Sequence, residues 1–328
     1  MADLASRRSR HLGLDLGGTN IKWVVAERTP GGDATAASGA TAVGGAIDGD
    51  TWRVVDQGEM PTLAARGPDA VIERLAGVGA QAIVRAPGAV SVGIGVPGLY
   101  NPADGTSRLL INLPGDWMGK PMAEVVSKAL RLPTHLINDA RAFGLAELRL
   151  GAGRGARSMV GLTLGTGVGG VMAVNGRIHQ GHDGTAGEFG HQTIDPDGPW
   201  CACGNRGCVE AFARADQIAQ TCGTNTAEEA FERARAGDER AIRGINDVGR
   251  YLGIGISNMI VGITPDKVVI GGGVAAAFDL LQPPIMAELR RRVHVTTLDP
   301  VGVVPAQLGV WAGAIGAAVH GAEAAGLA

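Results

Sequence analysis

Aromatic side chains are scarce: Phe, Tyr and Trp together make up 4% of the 328 residues. A site built on stacked aromatic platforms is therefore disfavoured. The 53 glycines favour tight turns and close backbone approach instead. They cluster in motifs and follow no collagen period. Blocks of basic residues are absent and the formal net charge is -3, so nothing points to nucleic acid or to an anionic membrane. Long apolar runs are missing too. The most apolar late stretch, residues 252–263, is too short to span a bilayer and carries Asn258. No apolar stretch of signal-peptide length follows the basic residues 1–10, which read as a disordered leader. A soluble, cytoplasmic protein is expected. Hydrophobic residues reach 45%, enough for sizeable cores, and the length suggests two domains.

Cysteine is also rare, with four residues, yet three of them share one short stretch. Cys201, Cys203 and Cys208 follow a C-x-C-x4-C spacing, and His191 stands ten positions before the first. Three thiolates and one imidazole make a closed tetrahedral zinc shell, the arrangement of a structural site. Buried apolar cysteines or a disulfide are the alternatives. Cys201 and Cys203 are too close for an easy mutual bridge, no secretory signal implies an oxidising compartment, and the loop is too rich in Gly, Asp and Pro for a core segment. Cys222 lies outside the cluster and reads as a small buried hydrophobe. Two acids, Glu188 and Glu210, bracket the knot. The metal is expected to hold the loop rigid while these acids and His191 face a polar substrate.

Residues 11–25 read as strand, tight turn, strand. Residues 29–50 have no periodicity and read as a long insertion or loose hairpin tip. Sheet resumes at 52–55, and residues 69–80 have helical spacing. Strands follow at 90–96 and 134–137, with helices at 121–130 and 140–150. A second strand–turn–strand opens at 159–164 and returns at 171–174, with Asn175-Gly176 as a hairpin turn. Helices are expected at 227–236, 239–262, 280–292 and 311–325, and a strand at 267–270. Hairpin openings followed by strand–helix alternation occur twice, which suggests two related α/β domains with a cleft between them.

Three glycine-rich turns follow expected strands. The first holds Asp15, Gly17, Gly18 and Thr19; the second Gly165, Thr166 and Gly167; the third Gly271, Gly272 and Gly273. Such turns can form anion-binding nests of backbone N–H groups. Each alone also reads as a plain turn. None carries the lysine of a P-loop, and the two hairpin turns do not open helices as a dinucleotide fingerprint requires. Together, with two threonine hydroxyls, they suit a nucleoside triphosphate, and Asp15 suits Mg2+, directly or through water. Asn138-Asp139 sits between a strand and a helix. Asp139 there can be a general base toward a sugar hydroxyl, or merely a helix N-cap; on the residues alone both readings stand.

These motifs together resemble the bacterial ROK-family sugar kinases, most of all the family's glucokinases. The resemblance is carried by Asp15-x-Gly17-Gly18-Thr19, Pro97-Gly98, Asn138-Asp139, the run 164–170, Ala186-Gly187-Glu188-x-Gly190-His191 and Cys201-x-Cys203-Gly204-x-x-Gly207-Cys208-x-Glu210. It departs at 29–50, which looks longer than usual, and at Val171, where a further glycine is frequent. The resemblance implies an actin-like ATPase (ribonuclease H-like) fold, with two α/β domains that close over a sugar and Mg-ATP. It places a small N-terminal domain at 1–138, joined by the last helix at about 311–328, and a large domain at 139–310 holding a zinc loop at 191–208. It makes Asp139 the base for the sugar 6-hydroxyl, and sets Asn138, Glu188, His191, Glu210 and Asn112 among the sugar-binding residues. His191, Cys201, Cys203 and Cys208 become the zinc ligands. The implied reaction is ATP-dependent phosphorylation of a hexose, glucose first, in a homodimer or homotetramer with no nucleic-acid or membrane partner. The alternatives are a kinase for another hexose, such as N-acetylglucosamine, N-acetylmannosamine, mannose, fructose or an aminosugar, or a catalytically silent sugar sensor. With the first strand beginning at about residue 11, a preceding helix-turn-helix is not expected.

Overall fold

The structure, a computed structural model, describes residues 7–31, 46–47, 50–110 and 113–327. Residues 1–6 of the expected leader, most of the 29–50 insertion and Asn112 lie outside the described residues. The chain divides into two compact units. The first takes residues 1–154, 180–185 and 310–328; the second takes 155–179 and 186–309. The helix after Asn138 thus belongs to the first unit, where the family resemblance suggests a boundary at 138/139.

The first unit is built on a six-stranded sheet. β1 (Ser9–Leu16) begins two residues earlier than expected, inside the supposed leader. It pairs antiparallel with β2 (Asn20–Thr29), so the first glycine turn does join a hairpin. β3 (Ala46–Ile47) and β4 (Asp50–Pro61) extend that side; β4 runs over 12 residues, well beyond the expected 52–55. α1 (Pro68–Arg85) then crosses over to β5 (Ala89–Val96), which is parallel to β1. A small hairpin, β6 (Leu99–Asn101) and β7 (Thr106–Leu109), and α2 (Met122–Leu130) lead to β8 (Thr134–Asn138), parallel to β5. The sheet order is β3-β4-β2-β1-β5-β8. α3 (Asp139–Leu150) starts where β8 stops.

The closing helix (Ala312–Ala324) also belongs to this unit. Its sequence is mostly Ala and Gly because it lies directly on the sheet. A Cβ on Gly13 would stand 1.9 Å from the Ala314 carbonyl oxygen, and one on Gly93 1.7 Å from that of Ala317. Only glycine on both strands permits such an approach. On the sheet, Leu12, Leu14, Val92 and Ile94 are fully buried. Each such side chain contributes about 1.5–3 kcal/mol by leaving water.

The second unit repeats the plan. β9 (Met159–Leu164) and β10 (Val168–Val174) form an antiparallel hairpin, which continues into β11 (Arg177–Ile178) through Asn175 and Gly176 at positive φ. After the cysteine loop come α4 (Val209–Ala213), α5 (Ala215–Cys222), α6 (Ala227–Arg235) and the long α7 (Glu239–Ile263). β12 (Lys267–Gly271), α8 (Phe278–Arg292) and β13 (Gly302–Pro305) complete it. The order β11-β10-β9-β12-β13 matches β4-β2-β1-β5-β8 strand for strand. In both sheets a hairpin precedes parallel strands. This is the ribonuclease H-like plan, and its duplication is the actin-like ATPase fold.

Candidate functional site

In each unit the glycine turns and acids gather at one end of the sheet. In open α/β sheets the carboxyl ends of the parallel strands are where ligands are held. In the first unit, Asp15 near the end of β1 pairs with Gly95 of β5, and Val96 pairs with Asn138 at the end of β8. The turn after β1 is fixed by its own backbone and by Thr62. Gly17 N–H donates to Asn20 O at 3.0 Å, and the Thr62 hydroxyl donates to Gly17 O at 2.7 Å. Gly18 and Thr19 are left exposed at its tip.

Asp15 is half-buried, with glycine on two sides. A Cβ on Gly313 of the closing helix would come within 2.6 Å of Asp15 Oδ2, and one on Gly95 within 3.4 Å of Oδ1. The dense surroundings push its carboxyl up to about 6, against the opposing pull of Lys22. A cation placed here would reverse that shift. One carboxylate beside a glycine turn fits Mg2+ carried in on phosphates, because Mg2+ usually keeps its waters and takes few protein ligands.

Asn138 and Asp139 divide the work that sequence could not apportion. The helix cap is Asn138. Its backbone is extended, and its Oδ1 accepts from Arg141 N–H at 3.2 Å. Its Nδ2 donates to Gly98 O at 3.1 Å, tying the end of β8 to the Pro97-Gly98 turn after β5. Asp139 is the first residue of α3. Its Oδ1 accepts from Ala140 N–H at 2.8 Å and from Asn138 Nδ2 at 3.0 Å. The capping role that competed for Asp139 is therefore taken by its neighbour. The carboxylate is held in one orientation by two donors on one oxygen.

In the second unit the cysteine loop folds as a knuckle. Cys201 N–H donates to Asn205 O, Gly204 N–H to Cys201 O, and Gly207 N–H to Pro199 O. This brings Cys201, Cys203, Cys208 and His191 together with all four ligand atoms within 4.8 Å of one another. Zn–S bonds of about 2.3 Å and a Zn–N bond of about 2.0–2.1 Å in a tetrahedron require S···S near 3.8 Å and S···N near 3.6 Å. Cys203 and Cys208 Sγ are 3.7 Å apart, and Cys201 Sγ is 3.6 Å from His191 Nδ1. The donor set and spacing therefore fit zinc, with Nδ1 as the ring nitrogen turned to the metal. Cys222 is buried elsewhere, against Gly244, as expected.

Glu188 is exposed, one residue before the short 3-10 turn Phe189–His191. Glu210 sits on α4, two residues past Cys208. Its Oε2 accepts from Val168 N–H at 2.9 Å, and its Oε1 lies 3.6 Å from Cys201 Sγ. The second and third glycine runs are neighbours: a Cβ on Gly272 would stand 2.3 Å from Leu164 O, just before Gly165. So this unit groups Gly165, Thr166, Gly167, Gly271, Gly272 and Gly273 at one sheet end, with Glu210 against the first of the two runs. Sequence reading missed Val168 and Ala215, whose backbone N–H groups bind Glu210 and Gly165 O. A backbone donor whose partner is 42 residues away leaves no side-chain signal.

The ROK family model matches residues 36–322. A glucokinase from Halalkalibacterium halodurans is 32% identical over 334 residues, which cover 93% of each chain. The solved ROK hexokinase from Thermus thermophilus superposes with a TM-score of 0.79 at 31% identity, over 97% of this chain and 99% of that one. A ROK family glucokinase from Streptomyces griseus, solved in complex with glucose and AMPPNP, gives a TM-score of 0.77 at 26% identity, over 96% of this chain and 100% of that one.

Proposed function

The chain belongs to the ROK family, and on that premise we propose that it is an ATP-dependent hexose kinase that phosphorylates the 6-hydroxyl of glucose. The observation that carries this reading is the Asn138-Asp139 pair. With Asn138 capping the helix, Asp139 is an oriented carboxylate at the carboxyl end of a parallel strand. The likeness to a glucokinase and to a structure solved with glucose and AMPPNP supports the choice of sugar and donor.

Asp139 takes the proton of the 6-hydroxyl as the γ-phosphoryl leaves ATP. Asn138, Glu188, His191 and Glu210 bind the remaining hydroxyls, with Asn112 assigned to the same sugar. A missing hydroxyl would leave a carboxylate unpaired, which is the basis of strong discrimination. The glycine turns at 17–19, 165–167 and 271–273 receive the nucleotide and its phosphates through backbone N–H groups. Asp15 would hold Mg2+ carried in on the phosphates, and the ion would supply positive charge against the transferring group. His191, Cys201, Cys203 and Cys208 would hold a zinc ion that supplies rigidity to the loop, and His191 would present Nε2 to the sugar. A homodimer or homotetramer in the cytoplasm completes the reading. Among the described residues no helix is long and apolar enough to cross a membrane.

Phosphorus NMR of the products of glucose and Mg-ATP tests it. The expected product is ADP with a phosphomonoester on glucose C6. ADP with inorganic phosphate alone would make the protein an ATPase and overturn the assignment.

A further inference from the structure

The turn 165–168 between β9 and β10 is held from outside at two points, both by the chain that leaves the zinc knot. Glu210 Oε2 accepts from Val168 N–H at 2.9 Å. Ala215 N–H donates to Gly165 O at 2.8 Å. Within the turn, Gly165 N–H donates to Gly167 O at 2.9 Å. Among the described residues no protein acceptor engages the N–H groups of Thr166 and Gly167 at the apex. Those two donors are what the turn offers an anion.

The clamp is continuous with the metal ligands. Cys208 is followed by Val209, which is fully buried and whose N–H donates to Gln192 O, beside His191. Glu210 comes next, and its other oxygen lies 3.6 Å from Cys201 Sγ. Arg214 N–H donates back to Glu210 O, which sets the position of Ala215. Every link from Cys208 to the turn is thus a short, buried or hydrogen-bonded step. Gly167 belongs to the same fit: a Cβ there would stand 2.6 Å from Glu210 Oε2, in the space the carboxylate uses to reach Val168.

We propose that Glu210 is a positioning residue for the phosphoryl donor, through which the zinc knot sets the shape of the 165–168 turn. This deepens the kinase reading and rests on it, because it takes the turn to be a donor-phosphate turn. The knot then serves the nucleotide as well as the sugar. Loss of zinc reaches the donor side through Glu210.

The test is calorimetric binding of AMPPNP with Mg2+ in the absence of sugar, with zinc content and melting temperature measured on each protein. Glu210→Ala should weaken AMPPNP binding roughly tenfold or more, the scale of one charge-assisted hydrogen bond. Glu210→Gln keeps a carbonyl acceptor for Val168 N–H and should restore most of that affinity. Gly167→Ala offers an independent route, since its methyl displaces the carboxylate while leaving every zinc ligand in place. It should lower AMPPNP affinity with zinc content unchanged. Stripping zinc with a chelator should weaken AMPPNP binding in the wild type, and cost little further in Glu210→Ala. Unchanged AMPPNP affinity in both Glu210→Ala and Gly167→Ala, with a wild type that binds AMPPNP, would overturn the inference and leave the kinase standing. Independent, additive losses from zinc removal and Glu210→Ala would overturn the coupling. A wild type that binds no AMPPNP would overturn both.

Discussion

In the proposed reaction a single carboxylate, Asp139, carries the chemistry. Asn and Asp are both good N-caps, so the pair 138–139 cannot tell from its letters which one caps. The strand decides it: β8 carries extended backbone through Asn138, so helical dihedrals begin at Asp139. The N-cap position is then filled by the residue before the proposed base, whose Oδ1 still accepts from Ala140 N–H. Asp139→Asn keeps the shape and both donors' partner oxygen but removes the base. It should lower kcat roughly 10²- to 10⁴-fold, the usual share of a general base, while glucose binding by calorimetry stays near wild type. Normal turnover in that variant would remove Asp139 from the mechanism. The four residues of the candidate zinc site are the most legible in the sequence, since three cysteines and a histidine at this spacing fit a structural zinc shell. Glu210 is legible as a polar residue beside the knot. Its hold on Val168 is not, because the partner is a backbone group on a distant hairpin.

Among elements, long periodic or strongly alternating segments are the legible ones. The hairpins, α1, α7 and the Asn175-Gly176 turn fall where composition puts them. The short α4 and α5 escape a sequence reading, because five and eight residues give too little period to register. β4 outruns its expected length because its far half is polar and partly exposed, which hides a strand paired along one edge of β2. The closing helix is the element on which two predictions turn. Gly93→Val would drive its side chain into the Ala317 carbonyl, and overpacking of this kind should cost about 3 kcal/mol, read as a lower urea midpoint. His320 on the same helix is kept neutral: burial, with His135 beside it, holds its pKa down at about 4 against an ordinary 6.5. Between those values the unfolded chain takes up a proton that the native protein refuses. Stability should therefore fall as pH drops from about 6.5 toward 4. His11, buried between Ser9 and Ser91 and held down at about 4, acts in the same direction. His320→Gln should flatten part of that slope in melting temperature against pH; an unaltered slope would exclude His320 as its source.

At the scale of the whole chain, the duplicated plan is visible in the sequence as two hairpin openings, each followed by strand–helix alternation. The matching strand orders of the two sheets give that repeat its physical content. The return of the last helix to the first unit comes from family resemblance alone, since an Ala- and Gly-rich helix carries no mark of the sheet it will cover. Its partner glycines, Gly13 and Gly93, can be read only with the contact in view. Sugar identity sits least plainly in the letters, because the residues proposed to bind hydroxyls suit several hexoses alike and a fold does not choose among them. The central claim is hexose phosphorylation with glucose preferred. It is tested most directly by ADP release from Mg-ATP across glucose, mannose, fructose, N-acetylglucosamine, N-acetylmannosamine and glucosamine. The account predicts the highest kcat/KM with glucose. ADP release with none of these sugars, while glucose still binds, would contradict it and make the protein a sugar sensor.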